Sequence, residues 1–154
     1  MNIEEKLTAL GIYLTETPKP LGSYVPCVQS GALLFLSGVL PLCDGKLIWA
    51  GKVGDALTLE DGRQAARQSA INALSVLKSH LGSLDRIKQC VKVNGYIASA
   101  PSFSDHPKVL NGCSDLLFEV FGEAGRHARA ALGVASLPLD APVEIDFIFE
   151  IAPE

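Results

Sequence analysis

The clearest pattern in the chain is a strict alternation of apolar and polar residues near its C-terminus. Every second side chain from residue 143 onward is apolar, at Val143, Ile145, Phe147, Phe149 and Ile151. A period of two predicts a β-strand with one buried face. Two further strands are predicted, a long one over Ile87–Ile97 and one of small residues over Ala128–Val134.

Helical spacing of apolar residues predicts two main helices. The first begins at Thr58, which forms a capping-box pattern with Asp61, and ends at Gly82. Its apolar positions are Ala66, Ala70, Ala73, Leu74, Leu77 and Leu81. The second helix is predicted from the cap residues at 104–105 to Gly122, with Pro107 in its first turn.

Shorter elements are predicted before the first main helix. Residues 3–10 favour one or two helical turns, and Pro18 and Pro20 interrupt regular structure. Cys27–Gln29 and Leu33–Ser37 are predicted as strands joined at Ser30 and Gly31. The apolar run LLFL at 33–36 is typical of a strand covered on both faces.

A turn at Asp44 and Gly45 is predicted to precede a short strand over Leu47–Ala50. The order of elements is then roughly ββ(β)αβαββ, which favours an α+β fold with two main helices on one face of a mixed sheet. We expect one domain over residues 1–154, with residues 1–20 as an N-terminal extension, because 154 residues fit a single core and no linker divides them.

Charge and composition narrow the function classes. The net charge is −4, and no dense cluster of Lys and Arg is present, so a surface that tracks nucleic-acid phosphates is not expected. Charged residues make up only 19% of the chain, which favours association into oligomers.

The cysteines and the hydropathy pattern suggest a reduced compartment. None of the four cysteines forms a CxxC pair, and no histidine lies at metal-ligand spacing from them, so neither structural zinc nor another metal is expected. The N-terminus lacks the pattern of a signal peptide, and no apolar run is long enough to span a bilayer. We therefore expect a cytoplasmic protein.

The stretch from Gly125 to Asp146 carries the densest chemistry. Alternation places Arg129 on one strand face with Ala131 and Gly133, which leaves room around the guanidinium for a small carboxylate ligand. Glu144 and Asp146 lie on the polar face of the last strand, and Glu144 is nearer the turn. A strand, a turn and a returning strand predict that Arg129 and Glu144 meet across neighbouring strands. A surface ion pair remains the alternative for both.

Other candidates are weaker on their own. Tyr24 lies in a loop beside a glycine, and Ser37 ends an apolar strand. Asn111 lies within the second main helix, where it faces either a structural partner or a pocket. His127 lies between two arginines, whose charges would lower its pKa if they are close. No nucleophile-elbow pattern surrounds Ser37, which argues against a Ser–His–Asp triad.

In combination, several segments resemble the RidA/YjgF family, also called the L-PSP endoribonuclease-like family. They are the alanine-rich helix from Thr58, LGSYVPC at 21–27, LFLSGVLP at 34–41, VKVNGYIAS at 91–99, VLNG at 109–112 and ARAALGVASLPLDAPVEIDF at 128–147. The resemblance covers nearly the whole chain. It implies a fold similar to the bacillus type of chorismate mutase, in a homotrimer whose sheets line a central barrel with clefts between subunits.

The resemblance also implies roles for individual residues. Arg129 would bind the carboxylate of a 2-imino or enamine acid, and Glu144 would help to place the attacking water. Tyr24, Ser37 and Asn111 fall on the family's substrate-binding positions. Many members carry a cysteine where this chain has Ala131, a position whose backbone contacts substrate, so a reactive-thiol role is not expected here.

The predicted activity is hydrolysis of reactive 2-imino acids to 2-keto acids and ammonia, without a metal or organic cofactor because an imine is already electrophilic. Two alternatives stay open at this point: a non-catalytic binder of small carboxylic metabolites, and a ribonuclease as the older family name suggests. The basic segment Gly125–His127 is expected at the rim, where Arg126 and His127 would influence specificity.

Overall fold

A computed structural model describes residues 1–17, 19–20 and 22–154. Two residues lie outside the described residues: Pro18, which belongs to the predicted break in regular structure, and Leu21, which is the first residue of the LGSYVPC segment. The helices and strands, in chain order, are α1 Ile3–Ala9, β1 Cys27–Ser30, β2 Leu33–Val39, β3 Leu42–Cys43, β4 Lys46–Leu47, α2 Leu59–Leu81, β5 Ile87–Ala98, α3 His106–Phe121, β6 Ala128–Val134 and β7 Val143–Ile151.

Five strands form one mixed sheet in the order β1-β2-β7-β5-β6. Neighbours pair antiparallel except β5 and β6, which run parallel because α3 makes the crossover between them. β3 and β4 form a separate two-stranded hairpin. β6 is therefore an edge strand, and β5 separates it from β7.

Both main helices pack on one face of this sheet, as predicted. α2 begins with the predicted capping box, in which the Thr58 hydroxyl accepts from the Asp61 N–H at 3.1 Å and the Asp61 carboxylate accepts from the Thr58 N–H at 2.9 Å. Alanines at 66, 70 and 73 are fully or almost fully buried against the sheet. Their small side chains let α2 lie close to the apolar row of β7, whose Phe147 and Phe149 fill the centre of the core.

The helices α2 and α3 touch backbone to backbone at Gly112. A Cβ at this position would collide with the carbonyl oxygen of Arg63 on α2. Gly95 on β5 plays a similar part beneath α3, since a Cβ there would collide with the Leu110 side chain. These two glycines set how closely α3 approaches α2 and the sheet, and therefore where the α3 side chains stand over β6.

The other face of the sheet is open and partly apolar. Val28, Phe35 and Leu132 on this face are 53%, 42% and 48% exposed. The prediction that LLFL is covered on both faces is wrong for the single chain, because Leu34 and Leu36 face the helices while Phe35 faces solvent. An apolar open face of this kind is typical of a surface that another chain covers.

The predicted strand Leu47–Ala50 is also wrong in its bounds. Asp44 and Gly45 have φ of 50° and 76°, which is the geometry of a two-residue hairpin turn. Strand pairing therefore starts directly at the turn, with Cys43 opposite Lys46 and Leu42 opposite Leu47, and it ends there.

Within the described ranges, no helix has both the length and the apolar character needed to cross a membrane.

Candidate functional site

Arg129 reaches from the edge strand β6 toward α3. It pairs in register with buried Val93 of β5, so its side chain lies on the helix-covered face of the sheet. Its Nη1 donates to the Ser114 hydroxyl at 3.0 Å, and its Nη2 donates to the Pro107 carbonyl oxygen at 3.3 Å. Two contacts from one helix thus hold the guanidinium at the mouth of a pocket.

The positive charge of Arg129 is not neutralised by an acid. Among the described residues, no carboxylate lies within ion-pair distance of it, which argues against the surface ion pair that the sequence left open. The neighbouring Arg126 differs, because its Nε lies 3.1 Å from the Glu123 carboxylate and its guanidinium lies 4.7 Å from the centre of the Phe118 ring. Of these two arginines, Arg129 is therefore the one that remains able to bind an anionic ligand.

A pocket of about 370 Å³ opens beside Arg129, between α3 and the start of β6. Its lining consists of Asn111, Ser114, Asp115, Phe118, Gly125, Arg126, His127 and Arg129. Asn111 thus faces a pocket, which is one of the two possibilities, a structural partner or a pocket, that the sequence left open. The volume suits a small metabolite.

His127 is half-buried and lines this pocket. Its Nδ1 is 2.7 Å from the Gly125 carbonyl oxygen, and its Nε2 is 2.9 Å from the Ser114 hydroxyl. Burial, with a smaller effect from the charge of Arg129, lowers the pKa of His127 below its ordinary value. The predicted direction is confirmed, but burial is the main cause. Arg126 also lines the pocket, and its side chain is largely exposed.

A larger groove of about 690 Å³ lies between the N-terminal segment and α2. Its lysine, Lys78, already binds the carboxylate of Glu4 at 2.8 Å. The groove therefore presents no comparable unpaired cation, and the smaller pocket at Arg129 is the better candidate for a carboxylate ligand.

Glu144 lies on the opposite face of the sheet from Arg129. Its neighbours Val143 and Ile145 point into the core, so Glu144 faces the open side, where it is paired in register with Tyr96 of β5. Its carboxylate lies over Gly38, at which a Cβ would collide with it. Burial, and next the charge of Asp146, raise the pKa of Glu144.

The prediction that Arg129 and Glu144 meet within one chain is wrong. β6 and β7 are not neighbours, because β5 lies between them. The two side chains also leave the sheet on opposite faces. Any site that uses both residues must take them from different chains.

Asp146 has partners that Glu144 lacks. Its carboxylate accepts a hydrogen bond from Asn94 Nδ2 at 2.9 Å. Burial, followed by the nearby charge of Asp146, raises the pKa of Tyr96. No donor of the described chain binds the Glu144 carboxylate, which leaves it available to a ligand or a water and supports choosing Glu144 over Asp146.

Tyr24 and Ser37 stand on the side of Glu144. The Ser37 hydroxyl donates to the Val25 carbonyl oxygen at 2.7 Å, and the Ser37 N–H donates to the Pro26 carbonyl oxygen at 2.9 Å. These bonds fasten the loop that carries Tyr24, an exposed side chain, to the bulged end of β2. Ser37 directly precedes Gly38, so this loop lies beside Glu144.

The predicted residues therefore fall into two groups. Arg129 and Asn111 line the pocket on the helix side, which we call the arginine half-site. Tyr24, Ser37 and Glu144 belong to the other side, which we call the glutamate half-site. Ala131 is on the same face as Arg129, but its side chain packs against the core. At Ala131 only the backbone is left to contact a ligand.

The roles of Ser114 and Gly38 were not predicted. Ser114 follows Asn111 by three residues and Pro107 by seven, a spacing that places all three on one side of α3. This spacing is the signal that could have found Ser114. The sequence around Gly38 contains no signal for its role, because this glycine makes room for the Glu144 carboxylate, which lies more than a hundred positions away in the sequence.

The cysteines do not add a reactive group to either half-site. Burial raises the pKa of all four cysteine thiols, that of Cys90 to about 12. Such thiols stay protonated and unreactive near neutral pH.

Across the described parts of the chain, no group of three or more His, Cys, Asp or Glu side chains could hold a metal ion.

Comparison with known proteins identifies relatives of the whole chain. The family model described as "YjgF/chorismate mutase-like, putative endoribonuclease" matches residues 4–151. Protein TCP17 of Trypanosoma cruzi is 44% identical over 150 residues, which cover 97% of this chain and 94% of that protein. The 2-iminobutanoate/2-iminopropanoate deaminase of Dermatophagoides farinae is 30% identical over 134 residues, covering 87% and 90% of the two chains.

A solved structure agrees with these matches. The protein Atu1372 of Agrobacterium tumefaciens aligns with a TM-score of 0.92 at 44% identity, over 97% of this chain and 92% of that one. The resemblance seen in the sequence motifs is confirmed. The chain belongs to the RidA/YjgF family and has the chorismate mutase-like α+β fold of that family.

Proposed function

We propose that this protein is an enamine/imine deaminase that hydrolyses 2-imino acids to 2-keto acids and ammonia. The observation that carries the proposal is the Arg129 guanidinium, which is held by two acceptors of α3, lies at a pocket of metabolite size and has no acidic partner in the described chain. A guanidinium in this state suits bidentate binding of a carboxylate. The name of the Dermatophagoides farinae relative supports this reading.

In the proposed reaction, Arg129 binds the substrate carboxylate and Asn111 contacts the substrate beside it. Water adds to the imine carbon and gives a carbinolamine. The C–N bond then breaks, the hydroxyl becomes the carbonyl of the 2-keto acid, and nitrogen leaves as ammonia. Positioning supplies most of the acceleration, because the imine carbon is already electrophilic.

Glu144 orients the water and moves its proton. The carboxylate accepts a proton from the attacking water and returns it to the departing nitrogen. A raised pKa suits this exchange, because proton transfer is most effective when the pKa of the group approaches the working pH. Tyr24, Ser37 and the backbone at Ala131 complete the proposed substrate contacts.

The active site is proposed to form between chains of a homotrimer. An arginine half-site on one subunit and a glutamate half-site on the next make a heterologous contact, which closes into a ring. The exposed apolar residues Phe35 and Leu132 on the open face support such an assembly. Each ring of three would then contain three equivalent clefts.

The activity is tested with 2-imino acids that an amino acid oxidase generates from an amino acid in the same cuvette. The purified protein should accelerate ammonia release over the spontaneous rate. Arg129→Ala should abolish both this acceleration and the binding of a 2-keto acid, whereas Glu144→Gln should slow turnover and spare binding. An unaltered protein that binds 2-keto acids without accelerating ammonia release would contradict the deaminase and identify a metabolite binder.

A further inference from the structure

Three hydrogen bonds form a chain that ends at Arg129. The Gly125 carbonyl oxygen lies 2.7 Å from His127 Nδ1, and the Ser114 hydroxyl lies 2.9 Å from His127 Nε2. The same hydroxyl lies 3.0 Å from Arg129 Nη1. The reaction proposed above uses only the last of these residues, so the parts played by Ser114 and His127 need their own explanation.

The direction of each hydrogen bond follows from the atoms involved. A carbonyl oxygen can only accept, so His127 Nδ1 carries a proton and donates to Gly125. In a neutral imidazole the other nitrogen accepts, and Ser114 therefore donates its hydroxyl proton to Nε2. The lone pairs of the Ser114 oxygen then point toward Arg129, whose guanidinium can only donate.

The surroundings favour the neutral imidazole that this chain of bonds requires. His127 is partly buried, and Arg129, two residues along the chain, is close enough to disfavour a second positive charge. Two other charged side chains line this pocket, and each already has a partner of opposite charge. Asp115 on α3 lies 3.8 Å from Arg63, and Arg126 binds Glu123, so both have a weaker effect on the charge of His127. The hydroxyl of Ser114 consequently has one stable orientation.

We infer that Ser114 and His127 are positioning residues that fix the Arg129 guanidinium for carboxylate binding. Ser114 and the Pro107 carbonyl oxygen occupy one donor on each terminal nitrogen, and this fixes the plane of the guanidinium. His127 keeps the Ser114 hydroxyl from turning its proton toward Arg129. The inference rests on the proposed function, since it assumes that Arg129 binds a carboxylate.

The first test reads the hydrogen bonds without any ligand. Imidazole ¹⁵N resonances of histidine-labelled protein, assigned with His80→Gln, His106→Gln and His127→Gln, should show His127 as the neutral tautomer with its proton on Nδ1. Ser114→Ala should shift the Nε2 resonance, and Ser114→Thr should restore it. A proton on Nε2 in the unaltered protein would overturn the inference.

The second test measures the affinity for 2-oxobutanoate by calorimetry. Ser114→Ala should weaken binding roughly tenfold, as expected for loss of a hydrogen bond to a charged group, and Ser114→Thr should return it to within about twofold. In an Arg129→Lys background, which keeps the positive charge, Ser114→Ala should weaken the remaining affinity by less than about twofold, because lysine has no guanidinium plane for Ser114 to fix. Ser102→Ala, in an exposed loop, is the control and should bind normally.

The outcomes separate this inference from the proposed function. Normal binding by both the unaltered protein and Ser114→Ala would overturn the positioning role alone. A tenfold loss that persists unchanged in the Arg129→Lys background would also overturn it, since Ser114 would then act on the ligand or the fold directly. Failure of the unaltered protein to bind any 2-keto acid would overturn the proposed function and this inference together.

Discussion

Arg129 and Glu144 leave the sheet on opposite faces, with strand β5 between the strands that carry them. Fifteen positions separate them in the sequence, yet no rotation of their side chains can bring them to one ligand within a single chain. Each is available for binding on its own side, because neither has a partner of opposite charge among the described residues. The two side chains therefore lie on different surfaces of one chain.

Replacing Glu144 with Gln should stabilise the protein at neutral pH. The folded-state pKa of Glu144 lies above its unfolded value, so the ionised carboxylate costs stability at pH 7, and that cost disappears as pH falls through the folded pKa. Thermal unfolding midpoints of the two proteins should therefore differ at pH 7 and converge in acid. A Glu144→Gln protein that is less stable than the unaltered protein at pH 7 would contradict the burial of this charge.

Placing a methyl group on Gly38 should reduce turnover and leave the fold intact. The added Cβ would collide with the end of the Glu144 side chain, which is flexible and can move aside. Gly38→Ala should lower kcat by roughly tenfold or more, as displacement of a proton-transfer group does, with little change in the affinity for a 2-keto acid.

The matched control for Gly38 is the same substitution in a Glu144→Ala protein, in which the colliding atoms are absent. Gly38→Ala should then have no further effect on kcat. A further loss of activity in that background would show that Gly38 acts through the backbone of β2 and not through Glu144.

A charge on the open face should dissociate the proposed trimer. Leu132 is 48% exposed on this face, and burying an aspartate there without a partner is unfavourable. Leu132→Asp should weaken subunit association by roughly 100-fold and shift the mass measured by light scattering after gel filtration toward the monomer. Leu10→Asp, at the end of α1 on the helix side, should leave the mass unchanged. An unaltered mass for Leu132→Asp would place the interface elsewhere.

Gly112→Ala should destabilise the fold, because its Cβ would overlap the Arg63 carbonyl oxygen and neither backbone can move cheaply. We expect a loss of about 3 kcal/mol in the free energy of unfolding, at the upper end for overpacked sites. Urea denaturation followed by circular dichroism measures it. Lys108→Ala on the exposed side of the same helix should cost less than about 0.5 kcal/mol, and a similar loss for both would mean that α2 and α3 are not in close contact.

The sequence predicted individual strands better than it predicted their neighbours. The bounds of β7 follow from alternation and those of β6 from a run of small residues, which are both local properties, and both were predicted correctly. The insertion of β5 between them depends on the crossover through α3, which brings together residues that are distant in the chain. Nothing in the pattern of β6 or β7 states which strand pairs with it.

The same distinction explains the site. The face of Arg129 was predictable because Ala131 and Gly133 share it, and the face of Glu144 because the apolar row of β7 must point toward the helices. Whether Arg129 and Glu144 share a face of the sheet could be decided only from the strand order and register. Ser114 was open to prediction from helical spacing, whereas the contact between Gly38 and Glu144 depends on how β2 and β7 are aligned.

Co-expression of Arg129→Ala and Glu144→Gln subunits with different tags, followed by purification on both tags in turn, gives oligomers that contain both variants. If each site takes Arg129 from one chain and Glu144 from another, subunits that assemble at random should recover about a quarter of the unaltered activity. Purification on both tags removes oligomers of a single variant, so the recovered activity per subunit should then be higher. Each variant alone should be nearly inactive in ammonia release. Mixed oligomers no more active than the two separate variants would contradict a site shared between chains.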